Sequence, residues 1–238
     1  MSTRGGKVAL LGVVVAGFAF LYLPLVVLVV FSFNASKLVS VWGGWSAKWY
    51  LELFRNEQIL DAAWLSLKIA MINATGATLL GTMAGLALAR FGRFGGRTLF
   101  TGLIAAPLVM PDVIIGISLL LTFVSMEQFI GWPHGRGIDT ILIAHITFST
   151  AYVAIVVQSR ASGLDRSIEE AALDPGARPM TAFLLVTLPM LAPALASGWL
   201  LAFTLSLDDL VIASFVSGPG SSTLPMVIFS KVRLGVTP

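Results

Sequence analysis

Residues 169–178 read Glu169-Glu170-Ala171-Ala172-Leu173-Asp174-Pro175-Gly176-Ala177-Arg178, and Leu188-Pro189 follows further along the chain. This charged stretch lies between two long apolar segments. Ser167 and Glu170 have the spacing of a capping box, in which a hydroxyl and a carboxylate satisfy two free backbone N–H groups. The two alanines favour helix, the Pro-Gly pair ends it, and Pro179 suits the first turn of a second helix. The stretch therefore predicts a helix, a sharp turn and a second helix beside a membrane.

The composition of the chain is that of a membrane protein. Its 238 residues are 57% hydrophobic and 11% charged, with a mean hydropathy of +0.91, whereas a soluble domain carries about 25% charged residues. Inside lipid only helices or a closed barrel satisfy the backbone. Long apolar runs without alternation favour helices. We therefore expect a single all-α domain, residues 1–238, that is a polytopic membrane helix bundle.

Five apolar runs predict membrane spans, at about residues 8–31, 62–89, 98–124, 138–158 and 180–207. Pro107 and Pro111 interrupt the third. Gly81 and Gly85 in the second have the GxxxG spacing that lets helix backbones approach closely. Between the first two spans, clustered aromatic residues indicate either a helix over Trp45–Phe54 that lies in the membrane interface, where such side chains settle, or a small cap outside the membrane with no specific role.

The distribution of Lys and Arg indicates the orientation, because cytoplasmic loops are enriched in both. With the N-terminus inside, the inner segments hold eight of these residues, namely Arg4, Lys7, Arg90, Arg93, Arg97, Arg160, Arg166 and Arg178. The longer outer segments hold six, namely Lys37, Lys48, Arg55, Arg136, Lys231 and Arg233. We therefore predict a cytoplasmic N-terminus and a cytoplasmic loop at about 160–179. The same bias explains the net charge of +3 without a nucleic-acid partner.

Three acids lie in or at the edge of apolar segments: Asp112, Asp208 and Asp209. An Asp at a helix centre costs about 2.5–3.5 kcal/mol on insertion scales. Such a residue therefore faces water, a partner or a ligand, or is hydrogen-bonded within the protein. Trp199 and Phe203 lie near the second and third acids and offer ring faces for cation–π contact. We predict these five residues as candidates for a substrate path, with a structural role as the alternative for each acid.

The sequence contains no motif that indicates an enzyme. It has no cysteine, no H-E-x-x-H or G-x-S-x-G, and no G-x-x-x-x-G-K-[ST] loop for ATP. His145 stands alone in the fourth span, which argues against a metal site. We therefore predict no catalytic residue, no metal ligand and no cofactor bound by this chain.

The arrangement of Glu170-Ala171-Ala172, Gly176 and Leu188-Pro189 resembles the cytoplasmic EAA loop of permease subunits of ATP-binding-cassette (ABC) importers. In that family the loop forms a coupling helix, which sits in a cleft of the ATPase subunit. Pro175 departs from the apolar residue expected there. The alternative is an ordinary cytoplasmic loop. The resemblance implies that the following residues couple the chain to an ATPase: Glu169, Glu170, Ala171, Ala172, Gly176 and Ala177.

Further stretches are similar to the permeases of spermidine and putrescine importers, and most of all to the putrescine-specific inner-membrane permeases. They are Ala106–Asp112, Thr204–Asp209, Ser217–Gly220, Thr223–Pro225 and Arg233–Pro238. The resemblance implies the fold of a type I ABC importer permease in the bacterial inner membrane, with a sixth span after residue 238. It also implies polyamine import by alternating access. The implied partners are a second, similar permease subunit, two ATPase subunits that bind ATP and Mg²⁺, and a periplasmic polyamine-binding protein.

Two other functions remain open from the residues themselves. An ABC permease for another solute would share the coupling loop, but an anion carrier should present Arg or helix N-termini at mid-membrane rather than acids. A secondary transporter working alone would need no coupling loop, and the chain shows no inverted repeat.

Overall fold

The structure, a computed structural model, describes residues 4–38, 41–172 and 178–234. Within these ranges the chain is helical, and its only strand-like pairing is a single bridge between Asn34 and Trp45, so the predicted all-α class is confirmed. A π-helical segment, Phe183–Thr187, joins α8 to α9. The helices are α1 (Arg4–Phe31), α2 (Lys48–Leu53), α3 (Glu57–Arg90), α4 (Arg97–Val109), α5 (Asp112–Ile130), α6 (Ile138–Ser162), α7 (Arg166–Ala172), α8 (Pro179–Ala182), α9 (Leu188–Leu207), α10 (Val211–Val216) and α11 (Leu224–Leu234).

The contacts within the chain divide it into two units, one comprising residues up to Leu60 together with those from Phe229 on, the other Asp61–Ile228. In the first unit, the buried amide of Asn34 organises the loop after α1. Its Oδ1 accepts two backbone N–H groups, and its Nδ2 donates to the Val41 carbonyl at 2.7 Å. Because the loop closes around this amide, the backbone of Trp45 pairs with that of Asn34 in a β-bridge. The interface helix predicted over Trp45–Phe54 is therefore wrong at both ends, since α2 is shorter.

Five helical runs in the described ranges are long and apolar enough to cross a membrane, namely Gly6–Phe31, Glu57–Arg90, Asp112–Ile130, Ile138–Ser162 and Pro179–Leu207. The third predicted span, residues 98–124, is two helices rather than one. Pro111 lacks an N–H and holds Met110 in an extended conformation, ψ 138°, so α4 ends before it and α5 starts after it. Pro107 lies inside α4 without ending it. The expected sixth span lies outside the described residues.

In the second unit, α6 is the central helix and contacts α4, α5, α9 and α10. Near one end of α6, Ala154 packs with Ile104 of α4. Towards its other end, Ile141 packs with Phe123 of α5 and Ile212 of α10. The two halves of the broken span therefore pack along successive parts of the same helix.

The run from Pro179 to Leu207 changes pitch at its π-helical segment. Pro189 has no N–H to donate to the carbonyl of Leu185, four residues earlier, and a wider turn accommodates the missing bond. Pro179 is the first residue of α8, as predicted.

Small residues bring α3 against α6. A Cβ on Gly81 would lie 2.6 Å from the Cβ of Val153, and one on Gly85 would lie 2.6 Å from the carbonyl oxygen of Ala154. Both distances are shorter than real contacts allow, so the backbones meet only because these residues are glycine. The close approach predicted from the GxxxG spacing is confirmed.

We expect Gly85→Ala to lower the free energy of unfolding by about 1–3 kcal/mol, because the new methyl group meets backbone atoms that cannot rotate away. Gly102 is the matched control, since it lies in α4 and a Cβ there has no atom within 4 Å. Gly102→Ala should be neutral or stabilising by up to about 1 kcal/mol. Thermal unfolding of both variants in detergent measures the difference. Equal losses would contradict the packing.

Candidate functional site

Asp112 is the first residue of α5, at the break that Pro111 creates. Its side chain is exposed and lies within electrostatic range of the Tyr152 hydroxyl on α6. Counted from Arg97 at the start of α4, the 13 residues of that helix rise about 20 Å, within the thickness of a bilayer core of about 30 Å. The broken span thus presents an exposed carboxylate between its two helices.

Asp208 and Asp209 form the corner between α9 and α10, and their environments differ. Asp208 is exposed, and no donor among the described residues lies within hydrogen-bond distance of its carboxylate. Asp209 is 12% exposed and bonded on both oxygens. The corner therefore holds one carboxylate that is free to meet a ligand and one that is engaged within the chain.

The partner of Asp209 is His145, which is 2% exposed. Its Nε2 lies 3.1 Å from Asp209 Oδ2, and its Nδ1 lies 2.7 Å from Ser206 Oγ on the last turn of α9. These two bonds make the histidine part of a hydrogen-bond network between α6 and the end of α9.

Trp199 and Phe203 stack on α9, with ring centroids 5.4 Å apart and planes 9° apart. They pack against the cluster around Ala74 and Val153, and the indole N–H donates to Thr75 Oγ1 at 3.3 Å. Both rings are half-buried. Packing of α3 against α9 therefore uses part of the aromatic surface predicted for a ligand.

The structure brings some of the predicted substrate-path residues together. The two acids of the corner are adjacent, and the two rings form one stack. Within the described ranges, no hydrogen bond or ring contact joins Asp112 to either group. Sequence reasoning also did not identify Asn73, whose buried amide donates to Ser149 Oγ at 3.1 Å. A lone polar residue in an apolar helix is the signal that could have indicated Asn73.

The predicted coupling residues lie on and after α7. Glu170 and Ala171 are exposed and Ala172 is half-buried. The helix contacts the π-helical segment Phe183–Thr187, so its position is tied to the run that leads into α9. Three predicted coupling residues lie outside what the structure describes, namely the side chain of Glu169 and the whole of Gly176 and Ala177.

The cap of α7 differs from the prediction. Asp165 Oδ1 accepts the N–H of Ser167 at 2.9 Å, and Ser167 is itself inside the helix. The predicted capping box from Ser167 to Glu170 is therefore wrong, because the preceding carboxylate already satisfies the free N–H. Hydrogen bonds from the Ser167 backbone and side chain hold the pKa of Asp165 below its usual value. The Asp165 carboxylate is thus ionised at neutral pH, and its negative charge interacts favourably with the positive N-terminal end of the helix dipole.

These features define a multi-pass membrane protein with a broken span, carboxylates at that break and at the corner between α9 and α10, and a small exposed helix between two spans. Residues 77–232 match the family described as "Binding-protein-dependent transport system inner membrane component". The chain belongs to this family, and its fold is that of a type I ABC importer permease.

Individual relatives agree with this class. The chain is 61% identical over 226 residues to the putrescine transport system permease protein PotI of Escherichia coli (strain K12), an alignment that covers 95% of this chain and 80% of PotI. It is 40% identical over 227 residues to the spermidine/putrescine transport system permease protein PotC of the same strain, covering 95% of this chain and 83% of PotC. Both relatives are transport permeases rather than enzymes.

A solved structure shares the fold. A bacterial ABC transporter involved in the import of the acidic polysaccharide alginate matches with a TM-score of 0.74 over 99% of this chain and 84% of its own. Its sequence identity is 17%, so the likeness concerns the fold alone.

Proposed function

We propose that this chain is one permease subunit of an ATP-driven importer that moves polyamines, putrescine first among them, from the periplasm to the cytoplasm. It works with a second, similar permease subunit, two ATPase subunits that bind ATP and Mg²⁺, and a periplasmic polyamine-binding protein. The chain contributes no cofactor and no catalytic residue of its own. The observation that carries the proposal is the 61% identity to a putrescine permease over 95% of the chain.

The carboxylates of the second unit suit such a substrate. A diammonium chain in a low-dielectric passage needs an anionic partner for each end, and charge-assisted hydrogen bonds to ammonium contribute about 1.5–3 kcal/mol each. Asp112 and Asp208 are exposed acids on different helical elements. We assign one ammonium to each, with Trp199 and Phe203 supplying ring faces on α9.

The N-terminus and α7 lie in the cytoplasm in this proposal. The excess of Lys and Arg on the inner segments supports that orientation. It places α7, with its exposed Glu170 and Ala171, where an ATPase subunit can hold it. The Asp208 corner then lies towards the periplasmic side.

The arrangement of the helices supports transport by alternating access. Closure of the ATPases on ATP would draw the coupling helices of the two permeases together. Because α7 contacts the π-helical segment and the helical run continues from there to Leu207, movement of α7 can reach Asp208 through one element. Opening of the outer side would then accompany ATP binding.

An ABC importer permease for another solute remains the second candidate, since alginate import uses the same fold. The charge of the cargo distinguishes the two candidate functions, because exposed carboxylates would repel an anionic cargo. We favour the cationic cargo for that reason.

Uptake in cells tests the proposal. A strain without polyamine importers would express the complete transporter, or the same transporter lacking this chain, and would be given radiolabelled putrescine. We expect uptake that requires this chain and is competed by unlabelled polyamines but not by sulfate. Uptake that is independent of this chain, or competition by sulfate alone, would contradict it.

A further inference from the structure

His145 is a buried polar residue in an apolar helix, and its two ring nitrogens meet different elements. Nε2 lies 3.1 Å from Asp209 Oδ2 and Nδ1 lies 2.7 Å from Ser206 Oγ. Because an ionised carboxylate only accepts hydrogen bonds, Nε2 donates to Asp209, and the Nδ1 of a neutral ring then accepts from the serine hydroxyl. One side chain of α6 thereby holds both the last turn of α9 and Asp209, the second residue after that helix.

Both oxygens of the Asp209 carboxylate accept hydrogen bonds in this arrangement. Its Oδ1 accepts the N–H of Ile212 at 3.2 Å, and its Oδ2 accepts the N–H of Ala213 at 2.7 Å as well as the bond from His145. An ammonium group would have to compete with these three donors for a carboxylate that is only 12% exposed. Asp208, one residue earlier, is exposed.

The α10 side of the corner is fixed by packing as well. Ile212, Ala213 and Val216 are fully or almost fully buried, and the carbonyl of Val216 accepts a bond of 2.6 Å from Thr140 near the start of α6. A Cβ on Gly116 of α5 would lie 2.5 Å from the Phe215 ring, which shows how closely α5 meets α10. Because the elements on both sides are held, Asp208 projects from a rigid corner.

We infer that His145, Ser206 and Asp209 form a clamp that positions the Asp208 carboxylate for the substrate, with Asp209 acting through hydrogen bonds and not as a ligand. This corner clamp rests on the proposed function, since it assigns the substrate contact at the corner to Asp208 rather than to Asp209. Its members are positioning residues. The clamp lies within the membrane, because His145 is seven residues after Ile138 in α6, about 10 Å along the helix.

The two neighbouring acids should therefore respond differently to loss of charge. An amide at 209 with its oxygen in the Oδ2 position still accepts from the Ala213 N–H and from His145 Nε2, and it gives up only the longer bond to Ile212, because Asn and Asp serve almost equally as helix caps. An amide at 208 removes the charge that an ammonium requires. Asn should thus be tolerated at 209 but not at 208, while Leu should be tolerated at neither position.

The test compares Asp209→Asn, Asp209→Leu, Asp208→Asn and Asp208→Leu in the complete importer, at matched complex levels in the membrane. We expect putrescine uptake in Asp209→Asn within about threefold of the parent, and losses of about tenfold or more in the other three variants. Rescue by the conservative amide at 209 but not at 208 is the signature of a positioning role.

A second measurement keeps the test informative if Asp209→Leu fails to assemble. Thermal unfolding of His145→Ala, Asp209→Ala and the double variant forms a double-mutant cycle, because each single change removes the hydrogen bond between the two side chains. We expect non-additive shifts for this pair and additive shifts for His145→Ala combined with Asp208→Asn. Additive shifts in both pairs would contradict the clamp.

The possible outcomes separate the clamp from the proposed function. If Asp209→Asn loses as much uptake as Asp208→Asn, the charge at 209 is needed by the substrate and the clamp is overturned. If neither position affects putrescine uptake while the His145–Asp209 cycle remains non-additive, the clamp exists but the substrate assignment of Asp208 fails.

Discussion

Asp208→Asn is expected to lower putrescine uptake by about one to two orders of magnitude, because a charge-assisted hydrogen bond of about 1.5–3 kcal/mol is lost and about 1.4 kcal/mol changes affinity tenfold. Asn preserves the size of the side chain, and the exposed carboxylate has no partner among the described residues whose loss would disturb the fold. The measurement is the initial rate of radiolabelled uptake at equal amounts of complex. Basal ATPase activity should change little.

Asp139→Asn is the matched control for this prediction. Asp139 is also exposed and lies in the first turn of α6, so its replacement removes the same charge elsewhere. It should leave uptake unchanged. Unaltered uptake in both Asp208→Asn and Asp112→Asn would show that neither acid binds the substrate, and that the partner subunit carries the site.

Gly176→Val is expected to abolish uptake almost completely while the complex still assembles and hydrolyses ATP. The resemblance to the EAA loop places this glycine, which lies outside the described residues, in a turn beside the coupling helix. A β-branched side chain would disturb that turn and separate α7 from its ATPase contact. The measurement compares uptake with ATPase activity in the same purified complex.

Gly163→Ala serves as the control in the same loop. At Gly163, which follows α6, an added Cβ would have its nearest neighbour at 3.6 Å, an ordinary contact. This variant should remain coupled. Normal uptake in Gly176→Val would refute the assignment of the loop as the coupling element.

The fold class could be predicted because lipid imposes long apolar runs that are visible in the sequence. The break in the third span was predicted at both Pro107 and Pro111, but only Pro111 ends a helix, and the sequence alone does not distinguish the two prolines. Neighbouring helices can satisfy the carbonyl that an internal proline frees, and only the packing decides which proline ends a helix. The prediction of the residue that caps α7 was wrong for a related reason. Asp165 and Ser167 both suit the N-cap position, and in the structure the earlier residue, Asp165, is the cap.

The candidate site was predictable only in part. Acids in apolar segments are conspicuous, so Asp112, Asp208 and Asp209 could be singled out. The role of His145 could not be predicted, because its partner Asp209 is 64 residues away in sequence. No carboxylate or second histidine lies three or four residues from His145 in the sequence.

The most direct measurement for the central claim is the stimulation of ATPase activity in the purified importer, reconstituted in lipid, by its periplasmic binding protein. The binding protein would be added loaded with putrescine, loaded with spermidine, or empty. We predict strong stimulation by the putrescine-loaded form and little by the empty form. Equal stimulation by loaded and empty binding protein, or none by either polyamine, would contradict the assignment of this chain to polyamine import.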